Sequence, residues 1–241
     1  GTLALYRPRI AVVTNIDLDH LEHFTGPEDL AACYRRAVAA ARGGVAWCAD
    51  SPAAAAVCAG RPGLSFGFHP GAGLRADGVV CGPASAAFTV CHGGVPLGRV
   101  TIGVPGRHNV LNALAALAAA ILAGIPPAAA LARLEAACGE LPRRRFETVA
   151  QAGGCRVVID YAHHPQEIGA LMRMAREGEA GPLTVVFQPH RYTRTLALRD
   201  AFPPAFDGAD RVILLPVYAA SEAPLPGGTA EDLYAAFRRL R

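Results

Sequence analysis

The chain has 241 residues, 52% of them hydrophobic and 18% charged, with a formal net charge of +3. This composition fits one large or two ordinary globular domains with a sizeable core; it excludes a disordered chain, and the charge is too small to argue by itself for a nucleic-acid or membrane partner. All 23 basic residues are arginine, so no chemistry here uses a lysine amine.

In chain order, "IAVVT" (10–14) is a continuous apolar run, the pattern of a strand buried on both faces of a parallel sheet. "TGPEDLAACYRRAVAAAR" follows as a helix, with Pro27 in its first turn and Glu28 and Asp29 at its positive end. "VAWCA" (45–49) reads as a strand and "PAAAAVCAG" as a short helix, an alternation that predicts an α/β fold. From Gly63 to Val104, glycine-punctuated runs predict β-hairpins. Two helices follow, "GRHNVLNALAALAAAILAG" and "PAAALARLEAAC", separated by a Gly-Ile-Pro-Pro turn. The apolar stretch from Ala113 is about half a bilayer span and reads as a buried helix.

"GELPRRRFE" (139–147) is the expected linker, with domains at 1–141 and 142–241. A second alternation follows: strand 155–160, helix 165–177, strand 183–188, a helix near 195–206, strand 211–217 and helix 230–241. That is a small, doubly wound, Rossmann-like domain, in which ligands collect beyond the carboxyl ends of the strands. Polar residues cluster there: Asp160 to His164 after one strand, Pro189 to Arg194 after the next, and Tyr218 after the third.

The seven cysteines are scattered and form no C-x-x-C pair, which argues against a disulfide framework or structural zinc site and fits a reducing compartment. No secretory pattern opens the sequence. The cytoplasm is the expected location.

Each motif has a bland alternative. In "TNIDLDH" (14–20), Asp17, Asp19 and His20 either bind a divalent cation or cap the next helix. Asn109 and Asn112 share one face of a helix start, and either read a purine edge or serve as a cap plus a solvated amide. In "RRRF", one arginine clamps phosphate or all three are solvated. Arg191 and Arg194, three apart at a helix start, suit a phosphate or carboxylate. No G-x-x-x-x-G-K-[ST] loop and no nucleophile-elbow pattern is present.

Together and in this order, "VVTNIDLDH", "VPGRHNVLNALAAL", "RRF", "DYAHHPQEI", "VVFQPHRYTRT" and "VILLPVYAASEAP" resemble the Mur ligases, with "QPHRYTR" and "VYAASEAP" pointing to the alanine-adding branch. The resemblance runs from Ala11 to Pro224. It implies an incomplete central P-loop-type ATPase domain followed by a Rossmann-like C-terminal ligase domain. The chain is expected to be a fragment without the UDP-binding domain and P-loop, its C-terminal domain possibly truncated, binding nucleotide weakly and inactive alone.

The implied reaction uses ATP and Mg2+ to join L-alanine to the carboxylate of UDP-N-acetylmuramate through an acyl phosphate, in peptidoglycan precursor synthesis; the alternatives are a related Mur-type ligase that adds another amino acid or recycles a peptide, or a non-catalytic anion-binding fragment. By motif match, His20 is the metal ligand, and Asn112, Arg145 and Asp160 hold ATP. Tyr161, His163, His190, Arg191 and Arg194 form the amino-acid pocket, with His163, Arg191 and Arg194 catalytic. The absence of lysine excludes the carbamylated lysine of several sister ligases. No nucleic-acid or membrane partner is expected, and the oligomeric state is left open.

Overall fold

The computed structural model describes residues 2–17, 24–137, 142–178 and 181–240. The chain divides into two compact units, Gly1–Gly139 and Glu140–Arg241. The border expected at 141/142 falls beside residues 138–141, which lie outside the described set.

The first unit is built on a six-stranded sheet of order β1-β2-β3-β4-β5-β6. Its strands are β1 (Ala11–Val13), β2 (Val45–Cys48), β3 (Gly63–Gly67), β4 (Leu74–Cys81), β5 (Ala86–His92) and β6 (Val95–Ile102). β1 to β4 pair in parallel, and β4 to β6 form antiparallel hairpins. Four helices accompany it: α1 (Pro27–Ala39), α2 (Pro52–Cys58), α3 (Arg107–Leu122) and α4 (Pro127–Ala137). Three of them begin at proline, whose fixed φ suits a first turn and whose missing N–H would have had no helical partner. The Ser51 hydroxyl accepts from Ala54 N–H to cap α2.

Packing explains the glycine that opens β3. A Cβ on Gly63 would overlap the Val45 carbonyl oxygen of β2, so only glycine allows this strand pair to close. On one side of the sheet Val13, Val38, Val45, Ala54, Val57 and Cys58 form a core that joins β1 and β2 to α1 and α2. The α3 helix buries Asn109, Val110, Leu114 and Leu117.

The second unit contains β7 (Glu147–Ala152), β8 (Cys155–Ile159), α5 (Pro165–Gly178), β9 (Thr184–Phe187), α6 (Tyr192–Leu198), α7 (Phe202–Ala205), β10 (Arg211–Leu214) and α8 (Ala230–Leu240). Two features differ from expectation. The helix near 195–206 is in fact α6, a 3-10 turn at Arg199–Ala201 and α7, with Pro203 and Pro204 in the last segment. Proline lacks the N–H that a continuous helix needs.

β7 is an additional strand, antiparallel to β8 through Gly153 and Gly154 at φ 58° and 74°. Two central residues with positive φ are what a tight hairpin of matching twist requires. Its residues are nearly all exposed, so the strand leaves no apolar pattern to read. Instead of one continuous ladder, the unit has two two-stranded sheets, β7-β8 and the parallel pair β9-β10.

One face of β9 and β10 packs on α5, α7 and α8 through Ile168, Met172, Phe187, Phe202, Phe206, Leu233 and Phe237. Phe206 is the hub, with ring centroids 5.1 Å from Phe187 and 5.5 Å from Phe237. Each such buried aromatic contributes about 1.5–3 kcal/mol. The starts of β9 and β10 are tied by Asp210, whose carboxylate accepts from Leu183 N–H at 2.7 Å and from Arg176 at 2.6 Å. No described helix is long and apolar enough to cross a membrane.

Candidate active site

The second unit gathers its unusual residues where β8, β9 and β10 end. Beyond β9 and β10 the two segments stay together, because Tyr218 N–H donates to Pro189 O at 2.8 Å and Arg191 N–H to Tyr218 O at 2.9 Å. His190 and Tyr218 form an isolated parallel bridge, and their rings stack with centroids 5.4 Å apart. The His163 ring lies 6.1 Å from His190, and Tyr161 meets His163 edge-on at 5.3 Å. Four rings from three strand ends thus form a continuous row: Tyr161, His163, His190, Tyr218.

After β8, Asp160 holds the loop. Its two carboxylate oxygens accept from Phe146 N–H at 2.8 Å and Ala162 N–H at 2.7 Å. Asp160 is thus a latch between the linker and the loop, and only its remaining lone pairs are open to the nucleotide contact expected from the sequence. Of the three linker arginines, Arg143 is 94% exposed and faces Glu147 at 3.9 Å, while Arg145 places its guanidinium 5.8 Å from the Tyr161 ring centroid.

α5 starts with Pro165, and Glu167 reaches back to accept from His163 N–H at 3.0 Å and His164 N–H at 3.2 Å. This is half of a capping box, and it makes the turn rigid. His164 completes the cap, since its Nδ1 accepts from Gln166 N–H at 3.4 Å. The two adjacent histidines have separate tasks, and it is His163 that faces the ring row.

At the start of α6, Arg194 Nη1 lies 3.2 Å from His190 Nδ1 and donates to His190 O at 3.3 Å. Arg191 takes φ 73°, in the left-handed region. Its guanidinium faces Glu222 at 3.9 Å, and Glu222 also accepts from the Thr193 hydroxyl at 2.7 Å and from Thr193 N–H at 3.1 Å. Burial alone would raise the Glu222 carboxyl, but the Thr193 hydrogen bonds and nearby Arg191 hold it below the ordinary carboxylate value. Burial, followed by the positive neighbours Arg194, His163 and Arg191, pushes His190 below the usual imidazole value and keeps it neutral near pH 7.

This arrangement can hold a small zwitterion: guanidiniums suit a carboxylate, and imidazoles exchange protons or hydrogen bonds with an amine. Sequence reasoning did not single out Glu222, Thr193 or Glu167. The capping-box spacing marks Glu167. Nothing local marks Glu222, because it is joined to Thr193 only across the fold.

In the first unit, Asn109 is buried and donates to Pro105 O at 2.7 Å, and Asn112 Nδ2 reaches Asn109 Oδ1 at 3.4 Å. The exposed Asn112 amide is thereby oriented with its oxygen left as an acceptor. Arg107 stacks over Phe68 at 4.1 Å beside this helix start. Asp17 accepts from Asn15 Nδ2 at 2.6 Å. Asp19 and His20, the latter the expected metal ligand, lie outside the described residues, among which no group of three or more His, Cys, Asp or Glu could hold a metal.

Residues 1–120 match the Mur ligase middle domain, and residues 144–241 match the Mur ligase glutamate ligase domain. UDP-N-acetylmuramate–L-alanine ligase of Solibacter usitatus is 38% identical over 244 residues, covering all of this chain and 51% of that protein. The enzyme of the same name from Kineococcus radiotolerans is 42% identical over 234 residues, covering 94% of this chain and 49% of its own. The chain spans about half the length of the curated relatives it matches.

The crystal structure of UDP-N-acetylmuramate-alanine ligase from Thermotoga maritima superposes with a TM-score of 0.75 at 25% identity, covering 99% of this chain and 51% of that one. A pseudomurein peptide ligase from Methanothermus fervidus shares the fold, with a TM-score of 0.63 at 18% identity, covering 87% of this chain and 53% of its own. With both domains matched and whole-chain similarity at this level, the chain belongs to the Mur ligase family, contributing its middle and C-terminal domains.

Proposed function

We propose that this chain is part of an ATP-dependent carbon–nitrogen ligase that joins L-alanine to the carboxylate of UDP-N-acetylmuramate in the cytoplasm, for peptidoglycan precursor synthesis. The observation that carries the reading is the juxtaposition of Tyr161, His163, His190, Arg191 and Arg194 at two strand ends, with Tyr218 of a third stacked on His190. It is supported by identities of 38% and 42% to proteins named for that reaction.

In this reading Arg191 and Arg194 hold the carboxylate of alanine and offset negative charge as the tetrahedral intermediate forms. His163 faces the amine, His190 lies beside it in the same row, and Tyr161 and Tyr218 close the ends of the row. ATP supplies the phosphoryl group that makes the sugar carboxylate an acyl phosphate. Within the first unit, Asn112 presents an oriented amide oxygen suited to an adenine amine; within the second, Arg145 and Asp160 are the groups expected to meet the phosphates and ribose. Mg2+ is the expected metal. The described residues supply no ligand set for it, so no step is derived through it.

The test is phosphate release by the complete gene product with ATP, UDP-N-acetylmuramate and alanine, glycine or serine. Release that depends on the sugar nucleotide and is fastest with alanine is expected. Release that ignores the amino acid would remove the proposal.

A further inference from the structure

We infer that the two histidines of the ring row are locked in opposite tautomers, so that His163 takes the proton from the incoming amine through Nε2 while His190 only donates, from its Nε2–H. The inference rests on the ligase reading and adds the proton's route to it.

His163 Nδ1 lies 3.0 Å from the Tyr161 carbonyl oxygen and 3.5 Å from Glu167 Oε2. A carbonyl and a carboxylate can only accept, so the neutral ring must carry its proton on Nδ1. Its Nε2 is then a bare lone pair. The same Glu167 carboxylate accepts from two backbone amides at the start of α5, so it is fixed in place behind the ring. A base oriented by an acceptor on its far nitrogen is the arrangement that general-base catalysis needs.

His190 is the reverse case. Its Nδ1 faces Arg194 Nη1 at 3.2 Å, and a guanidinium can only donate and does not lose its proton in proteins. Nδ1 must therefore accept, and the ring proton sits on Nε2. The one lone pair of the neutral ring is therefore taken up by Arg194, leaving none with which to act as a base.

The proton balance follows. Alanine arrives as an ammonium and must lose one proton before its nitrogen pair can attack. The nitrogen attacks the acyl-phosphate carbon, a C–N bond forms, and the carbonyl pair moves to oxygen. A second proton leaves the nitrogen as the C–O bond to phosphate breaks and phosphate departs with that electron pair. His163 Nε2 accepts the first of these protons and returns it to water, and the second leaves with the departing phosphate. His190 Nε2–H donates a hydrogen bond to a substrate oxygen.

Two measurements test this. In the 241-residue chain, long-range 1H–15N correlation spectra should place the His163 proton on Nδ1 and the His190 proton on Nε2; the same tautomer at both would overturn the inference. In the complete gene product, His163→Asn retains a donor where Nδ1–H stood but lacks the basic nitrogen. It should slow ligation of alanine by about 100-fold or more, yet slow hydroxamate formation from hydroxylamine by less than about threefold. Hydroxylamine is already uncharged at neutral pH and does not need the first deprotonation.

Equal losses with both nucleophiles would show that His163 only orders the pocket, and would sink the inference while leaving the ligase reading intact. Wild-type enzyme that forms no hydroxamate from ATP and the sugar nucleotide would sink the ligase reading, and the inference with it.

Discussion

The two units treat left-handed backbone differently. Among the described residues of the first unit, every position with φ in that region is glycine, as at Gly44, Gly78, Gly93 and Gly106. In the second unit Arg144, Phe146, Arg191, Ala220 and Ser221 adopt φ between 47° and 73°. A side chain in that region costs about 1–2 kcal/mol, because Cβ crowds the following carbonyl.

These five residues border the ring row. Arg144 accepts from Tyr161 N–H, Phe146 N–H donates to Asp160, Arg191 N–H is held by Tyr218, and Ala220 and Ser221 precede Glu222. Backbone strain of this kind persists where the surrounding structure over-determines it, and it concentrates at functional sites. The first unit relaxes its turns with glycine. The second does the same at Gly153, Gly154, Gly208 and Gly227, but retains side chains at the five positions around the ring row.

Substitutions can break or sharpen that contrast. The largest effect is expected at Gly63→Ala, where the new Cβ meets the Val45 backbone carbonyl, which cannot rotate away as a side chain would. A loss of about 3 kcal/mol, at the upper end of overpacking, should appear in urea denaturation. A smaller loss would mean that β2 and β3 separate more easily than their register implies.

Next is Arg194→Ala in the complete gene product. It removes the donor that fixes His190 and a cation from the pocket, so kcat/KM for alanine should fall about 100-fold, comparable to deleting one preorganised donor. Unchanged kinetics would take Arg194 out of the site.

Arg191 tests the strain directly. Arg191→Gly should be more stable than Arg191→Ala by about 1 kcal/mol, since both lose the guanidinium but glycine accepts φ 73°. Equal urea midpoints would mean that the backbone there is not strained.

The smallest effect concerns pH. The Leu183 N–H hydrogen bond, reinforced by Arg176, lowers the Asp210 pKa. A carboxyl lowered in the folded state adds stability that is present above the unfolded value, about 4, and is lost as pH falls through the folded value. Asp210→Asn should therefore be less stable than the parent at pH 7, with the gap closing in acid. A gap that persisted at low pH would assign the effect to packing rather than charge.

The sequence by itself determined the α/β class, most strands and helices, and the family, because buried parallel strands, proline-started helices and ordered motifs are local patterns along the chain. It also named the polar residues at the strand ends. β7 escaped because an exposed strand carries no apolar period, although Gly153-Gly154 marks its hairpin. The break between α6 and α7 was written in Pro203 and Pro204 but was outweighed by the apolar run around them.

Only the tertiary structure decided which groups meet. Glu222 finds Thr193, 29 residues away, because β9 and β10 end side by side, and Asp160 finds the Phe146 amide because antiparallel β7 starts where β8 ends. The same holds for the protons. A histidine's tautomer depends on whether a donor or an acceptor faces each ring nitrogen. His163 meets a carbonyl and His190 a guanidinium. Hydrogen-bond complementarity across a fold leaves no trace in the spacing of residues along the chain.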